Sequence, residues 1–244
     1  KVKLTPQFLE FLGLWLADGS FSASDLSTST SVQVSAANDM ECKNLLISIA
    51  EEWGNSWKLQ ENNVDFCIPT TTLARVIMGL GFGRGSWNKE IPWWIFELSE
   101  ENIGAFLRGY FSGDGTCGKT IECSSVSRKI IYGVYYLLCS IGIRSYINDS
   151  SCNDDKSYDK GSKNHTGMSN EENRITIIEG FSQITFQQKV GFLQERKNNS
   201  LSKTINERKE LIKMIQQTES AMQAHIKRLE ELGVKIKTNS DKKE

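Results

Sequence analysis

Phe11-Leu-Gly-Leu-Trp-Leu-Ala-Asp-Gly19 and Leu107-Arg-Gly-Tyr-Phe-Ser-Gly-Asp-Gly115 are two versions of one pattern, 96 residues apart counted from Asp18 to Asp114. Each reads as an apolar helix with small residues four apart on one face, Gly13 and Ala17 in the first and Gly109 and Gly113 in the second. Each ends in Asp-Gly. Helices that face one another through Gly and Ala can bring their backbones unusually close, because no Cβ substituents hold them apart. The spacing therefore predicts a helix pair with two carboxylates side by side at one end. Taken singly, an apolar helix ending in Asp-Gly is only a helix stop. The matched pair is what carries chemistry: carboxylates at helix C-termini sit at the negative pole of the dipole and repel each other, so a proton or a cation must compensate them. Hard oxygen ligands favour Mg²⁺ or a similar ion, and two such sites suit phosphodiester hydrolysis by a metal-activated water.

Outward from the motifs the chain repeats one order of elements. Thr5 and Pro6 mark the start of the first helix. A strand pair is expected within Phe21 to Ala36, a helix capped by Asp39 that runs through Trp53 and is closed by Gly54, and a second hairpin from Ser56–Gln60 and Val64–Ile68. Thr70 to Gly79 reads as a third helix. In the second half, Ser99 starts the motif helix and strands follow at about Thr116 to Ser125. A helix from Arg128 to Ile141 stops at Gly142, a hairpin is built from Ile143–Asn148 and Arg174–Ile178, and a helix runs from Ser182 to Phe192. The polar insert 148–173 is expected to be a mobile hairpin tip. From about Ser202, Ile205, Leu211, Ile212, Ile215, Met222, Ile226, Leu229 and Leu232 recur at near-helical spacing, predicting one or two amphipathic helices. The expected domains are thus 1–98, 99–201 and a helical extension 202–244.

The 244 residues carry 29 Lys and Arg against 30 Asp and Glu, net −1. Residues 1–100 hold 7 basic and 12 acidic side chains and residues 201–244 hold 10 and 7, so attraction to phosphate must come from local patches weighted toward the C-terminal half. No apolar run is long enough for a membrane span, and the first residues do not read as a signal peptide. The six cysteines show no Cys-x-x-Cys spacing and read as thiols of a reducing, intracellular compartment. His165 and His225 lack partners at metal-ligand spacing and read as surface residues. Trp87, Trp93 and Trp94 beside Pro92 read as a packed linker between halves.

The paired motifs resemble those of the LAGLIDADG homing endonucleases, specifically the single-chain kind. Lys89-Glu-Ile-Pro-Trp93 and Val190-Gly-Phe-Leu-Gln-Glu-Arg-Lys197 are similar to segments of the endonuclease domains found inside inteins. The resemblance implies an α+β fold of two pseudo-symmetric αββαββα repeats, with the motif helices at the interface and two antiparallel sheets forming a saddle over double-stranded DNA. It implies a monomeric enzyme that cuts both strands across the minor groove and leaves short 3′ overhangs. Asp18 and Asp114 would bind Mg²⁺ or Mn²⁺, two or three ions in all, with the carbonyls of Ala17 and Gly113 assisting. Family members often carry a lysine near each metal. The turns Ser35-Ala-Ala-Asn38 and Ser124-Ser-Val-Ser127 hold none, which leaves Lys119, Lys129 and a water-orienting Asn38 as catalytic candidates. Side chains expected on the DNA-facing strands are Ser27, Ser29, Ser31, Gln33, Ser35, Lys58, Gln60, Arg144 and Arg174, the longer ones being the better base readers. The alternative within the family is an RNA maturase that assists group I intron splicing without cutting DNA.

Overall fold

Thr5 caps the first motif helix, its hydroxyl accepting from the Phe8 amide at 3.1 Å, with Pro6 at the first helical position. That helix, α1 (Pro6–Asp18), opens the chain in a computed structural model that describes residues 2–22, 30–54, 56–148 and 173–231. The chain divides into two compact units, Lys1–Ser202 and Lys203–Glu244.

In the first unit, α1 is followed by β1 (Gly19–Phe21), β2 (Val32–Val34), α2 (Met40–Glu52), β3 (Lys58–Leu59), β4 (Phe66–Ile68) and α3 (Thr71–Gly79). After a 3-10 turn, Trp93–Glu97, come α4 (Glu100–Asp114), β5 (Gly115–Cys117), β6 (Ile121–Ser125), α5 (Arg128–Ser140), β7 (Tyr146–Asn148), β8 (Asn173–Ile177) and α6 (Gly180–Lys189). The final helix, α7 (Glu195–Glu231), begins in this unit and supplies the described part of the second. Two antiparallel sheets result, ordered β1-β2-β4-β3 and β5-β6-β8-β7. Each half is an αββαββα repeat, so the α+β class expected from the sequence is the one observed.

The helix pair is as close as the small residues allow. A Cβ placed on Gly13 would overlap the Phe106 carbonyl oxygen, and one on Gly109 would overlap that of Glu10. Any larger residue at either position would force the two backbones apart. Around this contact α1 buries Phe8, Phe11, Leu12, Trp15 and Leu16, and α4 buries Phe106, Leu107, Tyr110 and Phe111. Each such side chain contributes about 1.5–3 kcal/mol by leaving water. Arg108 of α4 also binds Glu10 of α1. Gly19 and Gly115, which end the motifs, are extended at φ −92° and −89°, so they serve no left-handed turn. A Cβ on either would strike the preceding helical turn, at Trp15 or Phe111, as the chain passes directly from helix into strand.

Three details differ from the sequence reading. Asp39 sits at the N-cap of α2, but its carboxylate bonds Arg196 and Gln194 instead of the helix amides. Trp93 and Trp87 do not pack as a linker: Trp93 is 71% and Trp87 50% exposed, because the 3-10 turn directs Ile95 into the core instead. Trp94 is half-buried and donates to the Leu80 carbonyl at 2.8 Å. The last helix starts at Glu195 rather than near Ser202, since Gln194 is fixed to the Ser112 carbonyl at 2.8 Å and Leu201 is fully buried. Residues 149–172 of the polar insert, with His165, and Leu232 lie outside the described residues.

Candidate active site at the motif-helix ends

The ends of α1 and α4 meet. A Cβ on Gly113 would lie 2.5 Å from the Ala17 Cβ and 2.6 Å from Asp18 Oδ2, so the Asp18 carboxylate rests against the last turn of the opposite helix. Asp114 occupies the matching place on α4, and both carboxylates act on the same buried groups, the Lys89 ammonium and the Tyr110 hydroxyl.

Two lysines close the helix ends in the same way. Lys89 Nζ donates to the carbonyls of Trp15 (3.0 Å), Leu16 (2.9 Å) and Gly19 (2.7 Å). Lys197 Nζ donates to those of Phe111 (3.5 Å), Ser112 (2.9 Å) and Gly115 (2.7 Å), the same positions displaced by the 96-residue repeat. A cation on the final carbonyls of a helix satisfies orphan acceptors and opposes the negative pole of the dipole. This is the compensation that the paired carboxylates require. The segments carrying the lysines cross between halves. The Lys89 carbonyl accepts from Ser127, the N-cap of α5, at 2.8 Å, while Arg196 and Gln194 beside Lys197 hold Asp39, the N-cap of α2.

Burial dominates the electrostatics. It raises the Asp18 carboxyl above the usual carboxylate value, against the attraction of Lys89 and Lys197. It also pushes the Lys89 ammonium down to about 8, although Asp114 and Asp18 favour its charge. Lys197 moves down as well, through burial and then the neighbouring Arg196. The Tyr110 hydroxyl is held well above the ordinary phenol value, chiefly by burial and then by Cys123 and Asp114. It lies near enough to Asp114 to interact, yet completes no hydrogen bond of standard geometry.

The donor set fits a hard divalent cation held openly. Among the described residues no three His, Cys, Asp or Glu side chains cluster as for a closed metal site. A cation here would be held by Asp18, Asp114, backbone carbonyls and water.

The remaining sequence candidates fall in several places. Asn38 is exposed in the turn before α2, and Lys119 is exposed in the turn joining β5 to β6, at the opposite end of β5 from Asp114. Lys129 is paired with Glu90 at 2.6 Å. Val32 and Val34 point inward, which turns Ser31, Gln33 and Ser35 to the outer face of the first sheet. The register continues that face as a row across the strands, Ser20, Gln33, Cys67 and Lys58. The Ser35 hydroxyl is committed to Asp65, and Gln60 is exposed in the β3–β4 turn. In the second half Arg174 is on the outer face beside Glu122, and Arg144 is bound to Glu179 at 3.0 Å. Ser27 and Ser29 lie outside the described residues. Sequence reasoning did not assign Lys89 or Lys197 to the site, although both stood in the quoted segments Lys89-Glu-Ile-Pro and Glu-Arg-Lys197.

Comparison with known proteins places the fold. The chain is 30% identical over 153 residues to the DNA-directed RNA polymerase subunit Rpo1C of Methanocaldococcus jannaschii, covering 59% of this chain and 17% of that protein. It is 25% identical over 208 residues to the DNA polymerase II large subunit of Thermococcus kodakarensis, covering 81% of this chain and 11% of that one. It therefore spans less than a fifth of the length of these relatives. A solved structure of variants of the homing endonuclease I-DmoI shares the fold with a TM-score of 0.55 at 12% identity, over 78% of this chain and 92% of that one. The complex of I-DmoI with DNA and Mn gives 0.52 at 13% identity, over 77% and 97%. Full-length DUF199/WhiA from Thermatoga maritima gives 0.53 at 12% identity, over 91% and 69%. The chain has the fold of I-DmoI, and its residues 101–191 match the LAGLIDADG-like domain.

Proposed function

We propose that this chain is a site-specific, metal-dependent DNA endonuclease. The observation that carries the reading is the juxtaposition of Asp18 with the end of α4, at helix ends capped by Lys89 and Lys197. Asp18 and Asp114, with the Ala17 and Gly113 carbonyls, hold two or three Mg²⁺ or Mn²⁺ ions. When bound, the metal activates water and neutralises charge developing on the phosphate. The protein's own part is positional: the lysines fix the helix ends, and burial disfavours the charged form of Asp18 until a cation compensates it. The two sheets contact a long duplex target through Ser31, Gln33, Ser35, Lys58, Gln60, Arg144 and Arg174. Both strands are cut across the minor groove, leaving short 3′ overhangs, by an intracellular monomer. The complexes of I-DmoI with DNA and Mn or Ca support this reading. The test is cleavage of the uninterrupted host sequence in Mg²⁺ by the wild type, Asp18→Asn and Asp114→Asn. Both variants should bind without cutting, and unimpaired cutting by either would sink the assignment.

One observation favours a second reading, a maturase that binds a group I intron without cutting DNA. The three donors of each lysine are engaged by backbone carbonyls, so neither ammonium has a proton left over to offer a water. Binding of the host DNA without cleavage in Mg²⁺, together with binding of the intron RNA, would select it.

A further inference from the structure

The two motif helices differ at one position that neither their contact nor the lysine caps require. Tyr110 stands four residues before Asp114 on α4, and the residue 96 positions earlier, four before Asp18 on α1, is Leu14. Residues four apart share one helical face, and the later side chain leans back over the earlier one. Asp114 therefore leans toward a hydroxyl-bearing ring, and Asp18 toward a hydrocarbon. Leu14 and Tyr110 are both fully buried. Tyr110 sits in the tightest part of the helix pair, where a Cβ on Gly13 would come within 2.7 Å of its amide nitrogen. Its ring meets that of Phe111 edge-on with the centroids 6.0 Å apart, so it has little room to turn.

The hydroxyl is the anomaly. It is buried, and among the described residues no partner reaches it with standard hydrogen-bond geometry. A buried hydroxyl without a partner costs stability, while a hydrocarbon of the same shape costs none of that. Leu14 shows that the repeat accepts a hydrocarbon at the equivalent place. Folding therefore leaves the oxygen unexplained. Burial, then Cys123 and Asp114, keep the phenol protonated, and a protonated phenol can only donate toward a carboxylate. The geometry points to Tyr110 as a positioning residue, whose hydroxyl donates to the ionised Asp114 carboxylate and orients it for a divalent cation, a support that Leu14 cannot give Asp18. Outer bonds of this kind fix ligating carboxylates, and losing one weakens metal binding by about tenfold or more. The inference rests on the metal-binding part of the proposed function.

The test is titration of the full chain with Mn²⁺ alone, the free ion read by electron paramagnetic resonance, beside urea unfolding in EDTA. The wild type should bind Mn²⁺, and Tyr110→Phe, which removes one oxygen, should bind it about tenfold more weakly. The unfolding midpoint of Tyr110→Phe in EDTA should equal or exceed that of the wild type, because the metal-free fold loses no well-formed bond. Added to Asp18→Asn, which keeps the Asp114 end, the Tyr110→Phe change should retain its full effect on Mn²⁺ affinity. Added to Asp114→Asn, it should have none. Equal Mn²⁺ affinity in the wild type and Tyr110→Phe would overturn the proposal. So would the same loss of affinity in both aspartate backgrounds, or a lowered midpoint in EDTA, since either makes the hydroxyl a part of the general packing. A wild type that binds no Mn²⁺, or an Asp114→Asn variant that binds it as tightly as the wild type, would remove the metal-site reading itself, and the proposal with it.

Discussion

The two motif-helix ends are wired alike and solvated differently. Lys89 and Lys197 each bond three carbonyls at positions related by the same 96-residue step. Lys89, however, is only 5% exposed and its ammonium is down to about 8, whereas Lys197 is half-buried, with an arginine beside it. Repetition of the sequence thus fixes the backbone geometry, while the path of each connecting segment fixes the environment. The segments also cross, since Ser127 of the second half holds the Lys89 strap and Asp39 of the first half holds Arg196. Each strap is held in place by the opposite half.

The sharpest way to break this comparison is to neutralise one carboxylate at a time. Asp18→Asn and Asp114→Asn should each lower double-strand cleavage by at least about a hundredfold, read from supercoiled plasmid carrying the target at single turnover. A large loss from one and none from the other would show that a single end carries the chemistry. The lysines come next. Lys89→Met leaves three helix-end carbonyls and two carboxylates uncompensated in a buried place, and should cost about 3 kcal/mol of stability. Lys197→Met, with more water at hand, should cost about 1–2 kcal/mol. Urea unfolding in EDTA compares them, and equal losses would erase the difference between the ends.

The sequence revealed what depends on local rules. Thr5 with Pro6 and Ser99 marked helix starts because capping is settled within one turn, and alternation around Val32, Gln33 and Val34 set the outer face because strands have a period of two. The closeness of the helices was legible because only small residues permit it. The capping lysines were not, because a side chain arriving 70 residues later in the chain, as Lys89 does at Gly19, leaves no local signature. Asp39 was misread for the same reason: an N-cap position suggests a local bond, and a distant arginine competed successfully for the carboxylate.

Titration separates the ends further. The folded Asp18 carboxyl keeps its proton to a higher pH than in the unfolded chain, where the value is 3.8. As pH rises through that window the folded state binds the extra proton less, and stability falls. Lys89 shows the opposite slope: the folded chain loses its proton near 8 and the unfolded chain near 10.5, so between these values the unfolded state binds more protons and stability rises with pH. Both charges therefore weigh on the fold near neutrality. Asp18→Asn should raise the unfolding midpoint at pH 7 in EDTA while abolishing cleavage in Mg²⁺, with the gain in stability shrinking on acidification. A lowered midpoint at pH 7 would mean that attraction to the lysines outweighs burial.

The smallest effects are expected at the rims of the two straps, where the comparison becomes one between bridges. Arg196 binds Asp39, and Lys129 binds Glu90 with side chains 69% and 43% exposed. The second pair should contribute no more than about 0.5 kcal/mol, since solvent and side-chain entropy offset most of its attraction. Burial tends to raise the Asp39 carboxyl, but hydrogen bonds from Arg196 and Gln194 prevail and hold it below the usual value. Its contribution is therefore present above 3.8, the unfolded value, and is lost as pH falls through the lower folded value. Asp39→Ala should cost about 1 kcal/mol at pH 7 and less in strong acid, and Lys129→Ala at most about half that at pH 7. Measured by urea unfolding, an equal cost for the two variants at pH 7, with that of Asp39→Ala unchanged in acid, would make the straps equivalent at their rims and confine the asymmetry to the buried lysines.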